Sequence, residues 1–364
     1  MSQKYRVIVA VIGVLLGLFM MWYFFDILIY IITAGVISLI GQPLVEFLSK
    51  IRIGKLSMPK SIAALITIVT LIGLLVCLAL LFVPMITRQA QMISKINVDE
   101  VVTYFAGVID RMQGLLLSYD IIKADETLQS ILERQITSVI NVADFSNLFE
   151  KLLGATSTLI IGIFSVLFLS FFFLRDRQLL RSGILLFAPD RFQPEVVTIL
   201  HKTKIMLSRY FIGLLSQLFI MMVLLTIGLS VFGIENAILI GFFGGLMNVI
   251  PYLGPIIGAS IGTVLGISSD LGLGLYDNAL NTAITVILVF SIANLIDNFV
   301  IQPLIFSKRV NAHPIEILLV ILMAGSLAGI PGMILAIPGY TVLRIVAKEF
   351  LSGFKLIDKL TENI

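Results

Sequence analysis

Residues 237–267 read AILIGFFGGLMNVIPYLGPIIGASIGTVLGI, and residues 315–346 read IEILLVILMAGSLAGIPGMILAIPGYTVLRIV. Each run is longer than the roughly 20 residues that one bilayer crossing needs. Each is broken in the middle, at Ile250–Pro255 (IPYLGP) and at Ile330–Gly332 (IPG). Proline removes a backbone donor and clashes with the preceding turn, and glycine loosens the chain. In hydrocarbon, broken backbone persists only where protein or a wet cavity satisfies its polar groups. Between the two runs, the apolar segment Ala279–Phe306 carries Asn294, Asp297, Asn298 and Gln302. Two broken segments flanking polar side chains at membrane depth are the pattern of a transport site.

Charge decides how these segments thread. No Lys or Arg occurs between Tyr210 and Ser307. The loop Ser268–Asp277 is acidic and glycine-rich, which suits the outside. The loop Ser307–His313 (SKRVNAH) and the tail with Arg344, Lys348, Lys355 and Lys359 are basic, which suits the inside. Residues 279–306 then cross inward, 237–267 begin and end outside, and 315–346 begin and end inside. Each broken run becomes a re-entrant hairpin, entering from opposite faces and turning at its Pro/Gly break. A competing reading makes each a single kinked, tilted helix and places Lys308 and Arg309 outside. A straight helix of 31 residues would run about 46 Å, which tilt absorbs only in part, so the hairpins are preferred.

The rest of the chain agrees with a membrane protein. Of 364 residues, 59% are hydrophobic and only 13% charged, and the net charge is +3. Soluble domains carry about 25% charged residues. Basic residues flank apolar runs, a topology signal rather than a nucleic-acid footprint. Lys4 and Arg6 precede Val7–Phe25, read as a retained first crossing. Ile27–Leu48, kinked at Pro43, is the second, and Lys50, Arg52, Lys55 and Lys60 place the next loop and the N-terminus inside. Ser61–Ile86, Gly154–Leu174 and Phe211–Phe232 are further crossings.

Residues 88–151 differ, with six basic and nine acidic residues and no long apolar window. Val98, Val101, Phe105, Val108, Met112 and Leu115, then Leu128, Leu132, Ile136 and Val139, repeat every three or four residues. Two amphipathic helices outside the membrane follow, packed on each other, on the membrane surface or on another subunit. The expectation is an all-α polytopic membrane protein of about eight membrane segments, two of them opposed re-entrant hairpins, with an amphipathic extramembrane segment. Its parts are N-terminal helices (1–86), the extramembrane segment (87–153), a membrane helix with a basic linker (154–210), a hairpin-containing transport half (211–350) and a cytoplasmic tail (351–364).

Asn294, Asn298 and Gln302 are spaced i, i+4, i+8, with Asp297 at i+3, so one broad helix face carries all four. An ionisable group at that depth is costly and functional by default. Asp297 must be protonated, bind a cation, or pair with a distant base such as Arg344; structural polar glue between helices is the bland alternative. The hairpin tips add Asn248, Pro251, Tyr252, Gly254 and Pro255 on one side and Ser326, Gly329, Pro331 and Gly332 on the other. These supply free backbone donors and carbonyls, although close packing is the commoner reason for such glycines. Motifs for hydrolases, P-loops and CxxC chemistry are absent, and two histidines with a lone Cys77 argue against a metal centre or disulfide framework. No cofactor is expected, and the chain is not expected to be an enzyme.

PYLGPIIG (Pro251–Gly258), NLIDNFVIQPLIFSKRVNAHPIEILLVIL (Asn294–Leu322) and GIPGMILAIPGY (Gly329–Tyr340) resemble the autoinducer-2 exporter family of PerM-like permeases over nearly the whole chain. The resemblance implies a homo-oligomeric permease, a homopentamer in described cases, with hairpins that take part in binding and an elevator-like movement. It also implies export of a furanone-type signal in some members and sodium or proton antiport in others. The resulting expectation is a secondary transporter that exports a small polar solute across the cytoplasmic membrane, with both termini inside. A sodium/proton-type cation antiporter is the alternative, and a non-transporting membrane scaffold a third.

Overall fold

The computed structural model describes residues 12, 16–17, 19–20, 23–53, 56–94, 96, 100, 103–104, 106–107, 156–176, 178–306 and 314–350. Most of the first crossing, nearly all of the amphipathic segment, the Ser307–His313 loop and the tail lie outside the described residues. The described chain is helical apart from one two-stranded turn. Among the described residues, six helices are long and apolar enough to cross a membrane, and two shorter apolar helices cover 160–175 and 237–247.

The chain divides into two compact units, residues 1–75 with 155–211 and residues 76–154 with 212–364. In the first, α1 (Phe25–Lys50) packs along α3 (Thr156–Arg175). Strands β1 (Arg52–Ile53) and β2 (Leu56–Ser57) pair antiparallel, Arg52 opposite Ser57, and lead into α2 (Lys60–Ser94). Val45, Ala63, Ala64, Ile68 and Leu174 form the core. Small residues let the helices close: a Cβ at Gly41 would stand 2.9 Å from Thr67 Cγ2. A short α4 (Leu179–Phe187) follows α3. Then α5 (Gln193–Val231) runs without interruption through the basic linker and the fifth crossing. Pro194 stands in its first turn, where the missing donor costs nothing.

The second unit holds the far end of α5, then α6 (Ala237–Met247), α7 (Leu253–Gly272), α8 (Tyr276–Ile296), a π-helical turn (Asp297–Ile301), α9 (Gln302–Phe306) and α10 (Pro314–Phe350). Its core joins Met221, Leu225 and Leu229 of α5, Ala237 and Ile240 of α6, and Val286, Val289, Phe290 and Ala293 of α8.

The first broken run is a helical hairpin. α6 and α7 lie antiparallel, and a Cβ on Gly258 would meet Gly244 Cα at 3.1 Å. At the neck, a Cβ on Gly254 would overlap the carbonyl of Met247. The turn is made by Asn248–Tyr252, with Tyr252 at φ 65°. The second broken run is also folded back. Ala328 (φ −139°, ψ 18°) and Gly329 (φ 60°, ψ −144°) leave helical geometry. Tyr340 donates to Glu316 across 24 residues, a separation of about 36 Å in a straight helix. Gly325 faces Met333, and a Cβ on Gly332 would overlap the carbonyl of Ala324.

The bend therefore precedes the expected Ile330–Gly332, and Pro331 falls in the opening turn of the returning arm, where proline is well suited. The loop expected at Ser268–Asp277 is also shorter. α7 continues to Gly272, so Ser268, Ser269 and Asp270 are helical and buried.

Candidate functional site

The site is built where α5 meets the end of α8. The buried row Leu214, Leu218, Met221, Leu225 and Leu229 along α5 is apolar. Gln217, one turn before Met221, interrupts this inward side and is also buried. Opposite, the core stripe of α8 ends in Asp297, 1% exposed. Gln217 Nε2 donates to Asp297 Oδ1 at 3.0 Å and to Oδ2 at 2.8 Å. Gln302 Nε2 donates to Asp297 Oδ2 at 2.8 Å and to Asn298 Oδ1 at 3.0 Å. Asn298 Nδ2 donates to Asn294 Oδ1 at 3.3 Å. A buried carboxylate is thus linked through side-chain amides to the exposed Asn298.

The π-turn creates this arrangement. An α-helix brings i and i+4 together, whereas here the backbone N–H of Gln302 bonds to the carbonyl of Asp297, five residues back. The extra residue in the turn aligns Asp297 with Gln302. Such turns are rare and concentrate at functional sites. The four polar residues consequently do not share one face: Asp297 points into the unit, while Asn298 is exposed and Asn294 and Gln302 are half-buried. Among the described residues, the partners of Asp297 are neutral amides, not the guanidinium of Arg344. That side chain is buried on the second hairpin, its Cζ 5.6 Å from the centre of the Tyr340 ring.

The first hairpin brings its tip to this level. Opposite α5, Gly241 meets Thr226 and Gly245 meets Met222, and the same antiparallel register carries the Asn248–Tyr252 turn to the height of Gln217. Asn248 is buried, and Tyr252 is half exposed. Next to it, Ile250 packs with Ile321 and Ala336 of the second hairpin, supported by Val249, Leu253 and Met333. Among the described residues, no hydrogen bond joins the second tip to the amide chain. Ser326 is exposed and donates to Met323 O of its own helix, and Gly329 and Pro331 are exposed. Pro255 and Gly254 serve the opening turn of α7, and Gly332 the close approach of the two arms of α10.

Gln217 escaped the sequence reading. Its only sequence signal is an amide in an apolar run, and its role appears once α5 lies against α8. No group of three or more His, Cys, Asp or Glu suited to a metal occurs among the described residues.

A family profile described as AI-2E family transporter matches residues 11–352. In Bacillus subtilis (strain 168), a protein named "Putative transport protein YueF" is 26% identical over 334 residues, 91% of this chain and 86% of its own length. A Thermotoga maritima protein with the same designation, without a further name, is 24% identical over 324 residues, 89% of this chain and 92% of its own. A multi-pass helical membrane protein matched over most of its length in this way belongs to the AI-2E family of transporters.

Proposed function

We propose that the protein is a secondary transporter that exports a small polar solute across the cytoplasmic membrane, with the Asp297 network as its polar binding surface. The observation that carries this reading is a fully buried carboxylate held by neutral amides in a π-turn, within a helix long and apolar enough to span. Ionisable groups in spanning segments are costly and mark substrate or ion pathways. Asn294, Asn298 and Gln302 offer donors and acceptors to hydroxyl or carbonyl groups, and a furanone-type signalling molecule has both.

In this reading the two hairpins enter the membrane from opposite faces and both termini lie inside. The hairpin half moves in an elevator-like manner, and assembly into a homo-oligomer rests on the family resemblance. The segments expected as separate parts of the chain, including the amphipathic one, serve assembly around that moving half.

One observation favours a second reading, sodium/proton-type antiport. The hydrogen-bond partners of Asp297 carry no positive charge, so a proton or cation is a natural neutralising partner. Flux in proteoliposomes, with a panel of small sugars, furanones and monovalent cations and with or without a pH gradient, separates the two. Solute flux that falls in Asp297→Ala and Gln217→Ala supports solute transport. Cation-driven pH change alone, lost in Asp297→Asn, supports antiport. Absence of flux for every member of the panel overturns both.

A further inference from the structure

The short helix α4 (Leu179–Phe187) is apolar yet contains no buried residue. With 3.6 residues per turn, Leu179, Leu180, Ile184, Leu186 and Phe187 fall on one continuous side, and Arg181 and Ser182 on the other. The apolar side is turned outward. Leu186 is 85% exposed and Phe187 91%, and Leu179, Leu180 and Ile184 are exposed as well. A helix of a soluble domain turns such a side to the core. Large apolar side chains exposed together mark a surface that meets something else.

Chain length fixes where this surface stands. α3 (Thr156–Arg175) has 20 residues and is about 30 Å long, the thickness of a hydrocarbon core. It ends in Arg175, and α4 begins after three intervening residues. At nine residues α4 is about 14 Å long, too short to cross. It therefore starts where α3 leaves the core, at the level of the lipid headgroups. Charge suits that level. Residues 175–192 contain Arg175, Arg177, Arg181 and Arg191 against Asp176 and Asp190. Both acids are engaged locally: the backbone N–H of Gln178 donates to Asp176 Oδ1 at 3.0 Å, and Gln193 Nε2 donates to Asp190 Oδ1 at 2.9 Å. Arg175, Arg181 and Arg191 are exposed, and Arg191 Cζ lies 5.4 Å from the centre of the exposed Phe192 ring.

We propose that α4 lies in the headgroup layer of the membrane, with its apolar side in the acyl chains and with Arg181 and Arg191 on the phosphates of anionic phospholipids. A helix with large apolar side chains on one side and basic residues on the other buries in this layer, and anionic lipid strengthens the attachment. Arg181 sits beside Ile184 at the edge of the apolar side. From there its stem can cover apolar surface while its guanidinium reaches the headgroups, where its fork fits a phosphate. Lipid is the occupant because the apolar surface is continuous with that of a spanning helix: Ile160, Ile161, Ile163, Phe164 and Phe168 of α3 are also exposed. The proposal rests on α3 crossing the membrane and not on the solute-binding reading of Asp297.

The test uses the purified full-length protein with Trp22→Phe and Phe187→Trp, which leaves one indole, at the most exposed position of α4. The protein is placed in nanodiscs of equal parts phosphatidylcholine and phosphatidylglycerol, with bromine on the acyl chains of one lipid or of the other. Both brominated lipids should quench the indole, phosphatidylglycerol more strongly, and acrylamide should quench it little. Arg181→Gln should lower the preference for phosphatidylglycerol about fivefold, and Arg181→Gln with Arg191→Gln should bring the two lipids towards parity. Quenching by acrylamide but by neither lipid places α4 in water. Protection from all three quenchers places it against protein, this chain or a second copy. Equal quenching by the two lipids with both arginines present removes the phosphate contact. Each of these results overturns the proposal. Should Phe187→Trp disturb the fold, Leu186→Trp carries the indole on the same side and is read in the same way.

Discussion

Replacing Gln217 by leucine removes the donor that reaches both oxygens of Asp297, at 3.0 and 2.8 Å, and leaves only the Gln302 contact. Asp297 is 1% exposed, so water cannot take the vacated place. Taking one partner from a buried charge costs about 3–5 kcal/mol, and the remaining Gln302 bond places this case near 3 kcal/mol. Asp297→Leu instead leaves the buried Gln217 amide unpaired, for about 2 kcal/mol. Additive effects would bring the double variant to about 5 kcal/mol; with neither a bare charge nor an orphaned Gln217 donor, about 2 kcal/mol is expected, a coupling of about 3 kcal/mol. Unfolding of the four proteins in mixed micelles, followed by circular dichroism, measures the cycle. A coupling below about 0.5 kcal/mol would refute Gln217 as the partner of Asp297.

Gly329→Ala should destabilise by about 1–3 kcal/mol although open space surrounds the position, because φ 60° with ψ −144° is a glycine conformation; equal stability in unfolding experiments would place the bend elsewhere. Gly254→Ala should be worse, since its Cβ meets the Met247 carbonyl, and a folded variant with unchanged Tm would contradict the neck geometry. Tyr252→Gly should relieve a positive φ and raise stability by about 1 kcal/mol, while proteoliposome flux should fall if the tyrosine lines the solute path. Tyr104 donates to Asp277 and stacks on Tyr276 at 5.4 Å, and the hydrogen bond to Asp277 raises its phenol above 10.0. The contact is present below that ordinary value and is lost as pH rises through the raised one. Asp277→Asn should shift the tyrosinate absorbance titration downward, and an unmoved titration would dissociate the two groups.

Much of the fold was legible because hydrocarbon is an undemanding reader. Apolar length and Pro/Gly breaks announced two folded segments, and the Tyr340–Glu316 contact closes the second across the break. Register was less legible. The bend falls at Ala328–Gly329 because glycine at 329 can adopt a positive φ that proline at 331 cannot, and proline then opens the next helix. Likewise Ser268–Asp270 read as loop by composition, but buried bonds to Gln89 and Asn236 extend the helix through them.

The sequence by itself determined that the chain is helical, lipid-solvated and twice interrupted by Pro/Gly breaks, since composition, length and backbone chemistry act locally. It also singled out Asp297, because a carboxylate in an apolar run is costly wherever the run packs. Only the tertiary structure decided what that carboxylate meets. Gln217 stands 80 residues away, and a single inserted residue in the π-turn sets which side chains face it. Both depend on how α5 lies against α8, a packing outcome that no local pattern encodes.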